Sequence, residues 1–219
     1  MKPLVVLLHG LARGHGSMAK LAAHLRSHGF ETWSQTYPSR RHSIGYLASS
    51  LADRLVEHAG DRPLHAVTHS MGGVIVRHLH DERLRWQRIV MLAPPNQGSQ
   101  LAAGLARNSL FRWFYGPAAA ELADASRWPE PPAPFGVIAG TRHRAITNLT
   151  SWTIGRRFPT GVKHDGTVAV DETKLPGMTA FAEVDATHTW IMNDTTVRHL
   201  VLEYLMRGTF DLPDQLVTG

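Results

Sequence analysis

Short, uninterrupted apolar runs alternate along this chain with segments of helical periodicity, and this alternation constrains the fold more than any other feature. The apolar runs predict strands over residues 4–8, 30–36, 64–68, 88–92, 136–139 and 180–184. The segments between them predict helices over residues 17–28, 43–59, 72–84 and 190–207. Strands that are apolar throughout are typical of parallel sheets covered by helices on both faces. We therefore expect an α/β fold with a mostly parallel six-stranded sheet, and a functional site at the carboxyl ends of its strands.

The 219 residues suffice for one domain with a buried core, so we expect a single domain over residues 1–219 with a cap inserted at 99–134. The sequence has no cysteine, which excludes disulfides, thiolate catalysis and cysteine-based metal sites. The formal charge of +5 is spread over the chain without a run of like charges, so nucleic-acid binding is not expected. The apolar run at residues 4–8 is too short for a signal peptide, and no segment has the length of a membrane span. These observations predict a cytoplasmic protein without a transmembrane segment.

Ser70 lies where a predicted strand meets a predicted helix, within Val67-Thr68-His69-Ser70-Met71-Gly72-Gly73. A serine on such a tight turn is held above the sheet edge, as in a nucleophile elbow. The turn requires small residues two positions before and two positions after the serine. Gly72 meets this requirement, whereas Thr68 stands where the usual pattern has glycine. Taken alone, Ser70 would serve equally well as the cap of the following helix.

A second glycine-containing turn, His9-Gly10-Leu11, follows the first predicted strand. A serine nucleophile needs two backbone N–H groups directed at the oxyanion that forms during acyl transfer. The amide of Met71, the residue after the serine, is one candidate, and the amide of Leu11 is the other. On its own this segment would be an ordinary strand-to-helix turn. The prediction of an oxyanion hole therefore depends on both turns reaching the same edge of the sheet.

Asp165 and His188 are the candidates for the remaining catalytic roles. His188 directly follows the last predicted strand and would act as the general base toward Ser70. Asp165 follows the fifth strand after a long excursion and would orient the imidazole and stabilise its charged form. Asp165 could instead form an Asx turn with Gly166. The rival acids are Asp171, Glu172 and Asp185, and the rival bases are His143 and His164. His69 is a poorer rival, since its position next to the serine points it elsewhere.

Together these segments resemble the α/β-hydrolase superfamily, and within it the compact bacterial lipases and esterases. The segments are Leu8-His9-Gly10-Leu11, Thr68-His69-Ser70-Met71-Gly72-Gly73, Asp165-Gly166-Thr167-Val168 and Thr187-His188-Thr189. A fifth, Ala93-Pro94-Pro95-Asn96-Gln97-Gly98-Ser99, resembles a Pro-x-x-Gly-Ser segment of many lipases. The order nucleophile, acid, base is also that of the superfamily. The early position of the first strand implies a minimal form of the fold.

The resemblance implies a carboxylic ester hydrolase that forms an acyl-enzyme on Ser70, with a small-molecule or lipid ester as substrate and no metal or organic cofactor. Acyl transfer and thioester hydrolysis would use the same triad, and a non-catalytic binding protein of the same fold is the alternative from another class. The inserted segment is expected to form a helical cap whose apolar side chains either line an acyl pocket or pack on the sheet. These side chains are Leu101, Leu105, Leu110, Phe111, Trp113, Phe114 and Tyr115.

Overall fold

The computed structural model describes residues 2–105, 116–143 and 158–211. Strands from all three segments form one six-stranded sheet. The strands are β1 (Leu4–Leu8), β2 (Glu31–Trp33), β3 (Leu64–His69), β4 (Trp86–Leu92), β5 (Phe135–Gly140) and β6 (Ala180–Val184). Their order across the sheet is β2-β1-β3-β4-β5-β6, and every neighbouring pair is parallel. The predicted α/β fold with a parallel six-stranded sheet is confirmed.

Helices cover both faces of this sheet, which explains why its central strands are apolar throughout. The helices are α1 (Ala19–Ser27), α2 (Ile44–Ala59), α3 (Met71–Arg77), α4 (Gln100–Leu105), α5 (Pro117–Glu121), α6 (Val170–Thr173) and α7 (Thr195–Arg207). Two 3₁₀ turns occupy His15–Met18 and Ile191–Asn193. The core layer on one face contains α1 and α7, and the layer on the other contains α2 and α3. No helix within the described part of the chain is long and apolar enough to cross a membrane.

Two predicted helices are shorter in the structure than the sequence pattern indicated. α3 ends at Arg77 rather than at residue 84, and beyond it the Asp81 carboxylate accepts the amide N–H of Arg83 at 3.0 Å in an Asx turn. The last helix begins at Thr195 rather than at residue 190. Its N-cap is Asp194, whose Oδ1 accepts the amide N–H of Val197 at 3.1 Å.

The inserted segment at 99–134 contributes α4 and α5 to the core layer that contains α2. The amide of Ser99 donates to the carbonyl oxygen of Leu122 at 2.8 Å, and Ala102 and Ala118 are buried in that layer. The predicted pocket residues Leu110, Phe111, Trp113, Phe114 and Tyr115 lie outside the described residues, while Leu101 and Leu105 belong to α4. The role of this segment in acyl binding stays a prediction.

Candidate active site

Ser70 occupies the sharp turn between β3 and α3. Its backbone has φ 52° and ψ −122°, a conformation that residues other than glycine rarely adopt. Its amide donates to the carbonyl oxygen of Leu92 at 2.9 Å, which ties the turn to the end of β4. The side chain of Ser70 is only partly buried, although β3 before it and α3 after it are buried. The strained turn therefore presents the hydroxyl at the carboxyl edge of the sheet, where solutes can reach it.

The glycine at position 72 is required for a different reason from the one inferred from the sequence. A Cβ at this position would lie 2.6 Å from the carbonyl oxygen of Leu8 and 3.0 Å from that of His9. The constraint thus comes from the end of β1 rather than from Thr68. The Thr68 hydroxyl lies in the same buried region and finds no hydrogen-bond partner among the described residues. This close contact between α3 and β1 brings the loop after β1 up against the serine.

His188 connects Ser70 to Asp165 through its two ring nitrogens. Its Nε2 lies 3.0 Å from Ser70 Oγ, and its Nδ1 lies 2.7 Å from Asp165 Oδ2. His188 is 8% exposed and Asp165 is 1% exposed. Because a carboxylate only accepts hydrogen bonds, the Nδ1 carries the proton and the Nε2 is left to accept the proton of the serine hydroxyl. The three residues form the hydrogen-bonded chain that a serine nucleophile requires.

The carboxylate of Asp165 is held by its own loop on the side away from His188. Oδ1 accepts the amide N–H groups of Thr167 and Val168 at 2.9 and 2.8 Å. Asp165 therefore forms a turn of the Asx type and contacts the histidine at the same time. Space for it depends on Gly140 at the end of β5, where a Cβ would lie 2.8 Å from the Asp165 Cβ. The orientation of the carboxylate is fixed by this loop, and its packing by the loop and the end of β5.

The backbone of His188 is held from two sides. Its amide donates to the carbonyl oxygen of Asp165 at 3.0 Å, and its own carbonyl oxygen accepts a hydrogen bond from His69 Nε2 at 2.9 Å. His69 is 1% exposed, and burial lowers its pKa well below the usual value of 6.5, which keeps the ring neutral. His69 therefore holds the main chain of His188 in place. The sequence did not indicate this role, because the signal is a single histidine among 14.

The loop after β1 carries the predicted oxyanion donor Leu11 and lies against the serine. A Cβ at Gly10 would lie 3.2 Å from the Ser70 Cβ, so the backbone passes close to Ser70. Met71 is the first residue of α3, and its amide N–H therefore has no acceptor within the helix. Both predicted donors belong to backbone segments at the edge of the sheet where Ser70 lies.

The buried side chains of His9 and Tyr37 support this loop. Their rings stack with centroids 3.8 Å apart, and the Tyr37 hydroxyl donates to the carbonyl oxygen of His9. The Tyr37 amide donates to His9 Nε2 at 3.2 Å, while His9 Nδ1 lies 2.8 Å from the carbonyl oxygen of Gly10. Burial lowers the pKa of His9 to about 4, which agrees with a neutral ring that accepts at Nε2 and donates at Nδ1. No pattern in the sequence indicated that this pair supports the loop.

The rival residues make other contacts. Asp171 pairs with Lys174, Asp185 pairs with Arg142, and the Glu172 carboxylate accepts the amide of Ala169 at the start of α6. The rings of His143 and His164 lie 4.7 Å apart, and His164 Nδ1 accepts the amide of Gly166. The described residues contain no group of three or more histidine, aspartate or glutamate side chains arranged to hold a metal ion.

Comparisons with known proteins agree with this fold. A family model described as the alpha/beta hydrolase fold matches residues 3–126. The mature form of a Bacillus licheniformis lipase superposes with a TM-score of 0.71 at 18% identity, over 94% of this chain and 91% of that one. A metagenomic carboxyl esterase gives 0.66 at 18% identity, over 85% and 64%. The methylesterase MES16 from Arabidopsis gives 0.59 at 14% identity, over 93% and 99%. At these identities the likeness is one of fold, and comparison with curated protein sequences gives no match.

Proposed function

The chain belongs to the α/β-hydrolase family, and from this premise we propose that it is a serine hydrolase that cleaves carboxylic esters through Ser70, His188 and Asp165. The observation that carries the proposal is the unbroken chain of hydrogen bonds from Ser70 Oγ to His188 Nε2, at 3.0 Å, and from His188 Nδ1 to Asp165 Oδ2, at 2.7 Å. The solved structures of lipases and esterases with the same fold are further support.

In the first half of the reaction, Ser70 Oγ attacks the carbonyl carbon of the ester while His188 Nε2 takes the hydroxyl proton. The negative oxygen that forms is stabilised by the amide N–H groups of Leu11 and Met71. The carboxylate of Asp165 stabilises the imidazolium cation, and its charge is kept in place by two loop amides. As the ester bond breaks, the imidazolium returns the proton to the leaving alkoxide, and the alcohol departs.

In the second half, a water molecule replaces the alcohol. His188 takes a proton from the water, the hydroxide attacks the acyl-enzyme carbonyl, and the same two amides hold the new oxyanion. The tetrahedral intermediate collapses, His188 protonates Ser70 Oγ, and the carboxylic acid leaves. The chain's own residues supply every proton transfer and every oxyanion contact in this sequence.

The decisive experiment is labelling with a fluorophosphonate, which phosphonylates activated serines. We expect the wild-type protein to gain one adduct on the peptide that contains Ser70, and the Ser70→Ala variant to gain none. Hydrolysis of 4-nitrophenyl esters of increasing acyl length should fall at least about a thousandfold in Ser70→Ala. Ser49→Ala is the matched control, because Ser49 is an exposed serine on α2.

Two results would overturn the proposal. One is a folded wild-type protein that takes up no label and hydrolyses no ester, which would favour a non-catalytic binding protein. The other is equal labelling of the wild-type and Ser70→Ala proteins, which would move the nucleophile elsewhere. Melting temperatures of the two proteins show whether the variant has kept its fold.

A further inference from the structure

A cleft of about 600 Å³ opens beside the candidate active site, at the carboxyl ends of β1 and β2. Its lining includes Ala12, Arg13, Tyr37, Ser39, Arg40 and Arg41, and we refer to it as the arginine cleft. Three of these side chains carry a positive charge, and none of the residues that line the cleft is acidic. A cleft of this size and charge beside a nucleophile is a candidate binding site for part of a substrate.

The arginine cleft is continuous with the loop that carries the predicted oxyanion donor. Gly10, whose Cβ would lie 3.2 Å from the Ser70 Cβ, and Ala12, which lines the cleft, stand on either side of Leu11. The Arg13 guanidinium lies over the Trp190 ring, 5.6 Å from its centroid, and Trp190 follows the base by two residues. Arg13 therefore spans from the oxyanion loop to the loop of His188.

The wall of the cleft is held in a fixed conformation. The amide of Ala12 donates to Ser39 Oγ at 3.0 Å, although Ala12 has a φ of 56°, which non-glycine residues rarely adopt. Tyr37 is 3% exposed and is bound through its hydroxyl to the carbonyl oxygen of His9. These contacts join the segment after β2 to the segment after β1. The relative positions of Arg13 and Arg41 are thereby constrained by the backbone.

Two arginines of the cleft, Arg13 and Arg41, have no carboxylate partner among the described residues, unlike four arginines elsewhere on the surface. Arg62, Arg83, Arg142 and Arg207 each form an ion pair with a carboxylate. Arg13 and Arg41 form no ion pair with any described residue. Arg13 is also partly buried, and desolvation lowers its pKa with no nearby carboxylate to compensate. A bound anion would supply the missing countercharge.

We propose that the arginine cleft binds an anionic group of the substrate, so that the preferred esters carry a carboxylate or a phosphate in addition to the ester bond. The guanidinium group suits this role, since its planar donors match the oxygens of carboxylates and phosphates. A neutral substrate would leave the partly buried Arg13 without a countercharge, whereas an anionic substrate would pair with it. This inference rests on the proposed ester hydrolysis and names its substrate class.

Matched substrate pairs test the proposal and locate the anion. The mono-4-nitrophenyl ester of glutaric acid and 4-nitrophenyl butyrate differ by a carboxylate in the acyl part. The pair 4-acetoxybenzoate and its methyl ester, together with 4-acetoxyphenyl phosphate, places a carboxylate or a phosphate in the alcohol part. We expect the wild-type protein to favour the anionic member of at least one comparison by about tenfold or more in kcat/KM, as one charged hydrogen bond would give. Added salt should reduce this preference by screening.

The arginine variants show whether the preference arises in the cleft. Arg13→Gln and Arg41→Gln should each lower the ratio of kcat/KM for the anionic and the neutral ester, by up to about tenfold. Arg85→Gln removes the same charge from an exposed position just before β4, at the opposite edge of the sheet, and should leave the ratio unchanged. Arg41 is exposed, so its variant tests the cleft even if Arg13→Gln fails to fold. A ratio near one in the wild-type protein, or an equal ratio in all variants, would overturn the proposal.

A binding measurement separates this inference from the proposed function. Calorimetric titration with glutarate and with inorganic phosphate requires no turnover, and it should give binding to the wild-type protein and to Ser70→Ala that weakens about tenfold in Arg13→Gln. If no ester is hydrolysed but this anion binding is present and is lost in the arginine variants, only the proposed function fails. If neutral esters are hydrolysed while neither anion binds, only the arginine cleft fails.

Discussion

Replacing Asp165 with asparagine isolates the contribution of the carboxylate, because the two side chains have nearly the same shape. Asp165 Oδ1 accepts two amide N–H groups, and Oδ2 contacts His188 Nδ1 at 2.7 Å. If the asparagine keeps its oxygen on the two amides, its NH₂ group faces His188. The Nδ1 must then accept, which moves the ring proton to Nε2 and leaves the base unable to take the serine proton.

The opposite orientation of the asparagine is disfavoured. It would turn the NH₂ group toward the amides of Thr167 and Val168 and lose both hydrogen bonds. Leaving buried donors unpaired costs about 1–3 kcal/mol for each group. The inactive orientation is therefore the stable one. We expect kcat to fall by about 10⁴-fold, or roughly 5 kcal/mol of activation free energy, as when the acid of a comparable triad is replaced.

The assay is the steady-state hydrolysis of a neutral 4-nitrophenyl ester, together with a melting curve for each protein. Asp185→Asn is the matched control, since it makes the same substitution at an exposed residue that pairs with Arg142. The ion pair lost in this control is exposed and contributes little to stability. The fold should therefore be unchanged, and kcat should stay within about twofold of the wild type. A folded Asp165→Asn protein with kcat within about tenfold of the wild type would refute the reasoning. It would mean that the His188 tautomer does not depend on this carboxylate.

Two further predictions concern stability. His9 and His65 are buried with pKa values lowered to about 4, against a usual value of 6.5, so the unfolded chain binds protons that the folded chain does not. The free energy of unfolding should fall as the pH drops from about 6.5 to about 4, by about 3 kcal/mol for each histidine. Urea titrations at several pH values should show that His65→Gln removes the part of this fall that comes from His65. A variant with the same pH dependence as the wild type would contradict the lowered pKa. Gly72→Ala should destabilise the fold by about 1–3 kcal/mol, because its Cβ would lie 2.6 Å from the Leu8 carbonyl oxygen. The control is Gly45→Ala in α2, where an added Cβ would meet no atom within 4 Å, and it should stabilise the fold by up to about 1 kcal/mol. Equal effects of the two substitutions on the melting temperature would contradict the contact argument.

The fold was predictable because its signals are local. β1 and β6 begin and end at the predicted residues, since each is a short run bounded by a turn or a polar residue. One of the errors occurs where a distant contact decides the boundary. β2 ends at Trp33 rather than at residue 36. The next residue, Ser34, donates its hydroxyl to the carbonyl oxygen of Leu7, and the chain leaves the sheet there. A contact with another strand has no signature in the sequence around Ser34.

The candidate site was predictable in part for a similar reason. Ser70, Asp165 and His188 each follow a predicted strand, and the geometry of a parallel sheet brings such positions to one edge. The supporting residues carry no such signal. His69 and Tyr37 act on backbone carbonyl groups of segments that lie far from them in the chain. The arginine cleft likewise joins residues that follow two different strands, so its charge becomes visible only when the loops are placed together.

The two hydrogen bonds that hold the main chain of His188 have a consequence for turnover. They join His188, the proposed base, to Asp165 on one side and to His69 on the other, so its backbone is held in place when the sheet assembles. The loss of conformational entropy that accompanies this ordering occurs once, during folding, and is not repeated in each catalytic cycle. We expect such a preorganised base to change little when a substrate enters. Differences in rate between substrates would then reflect how each one seats its carbonyl group rather than how far the enzyme must rearrange.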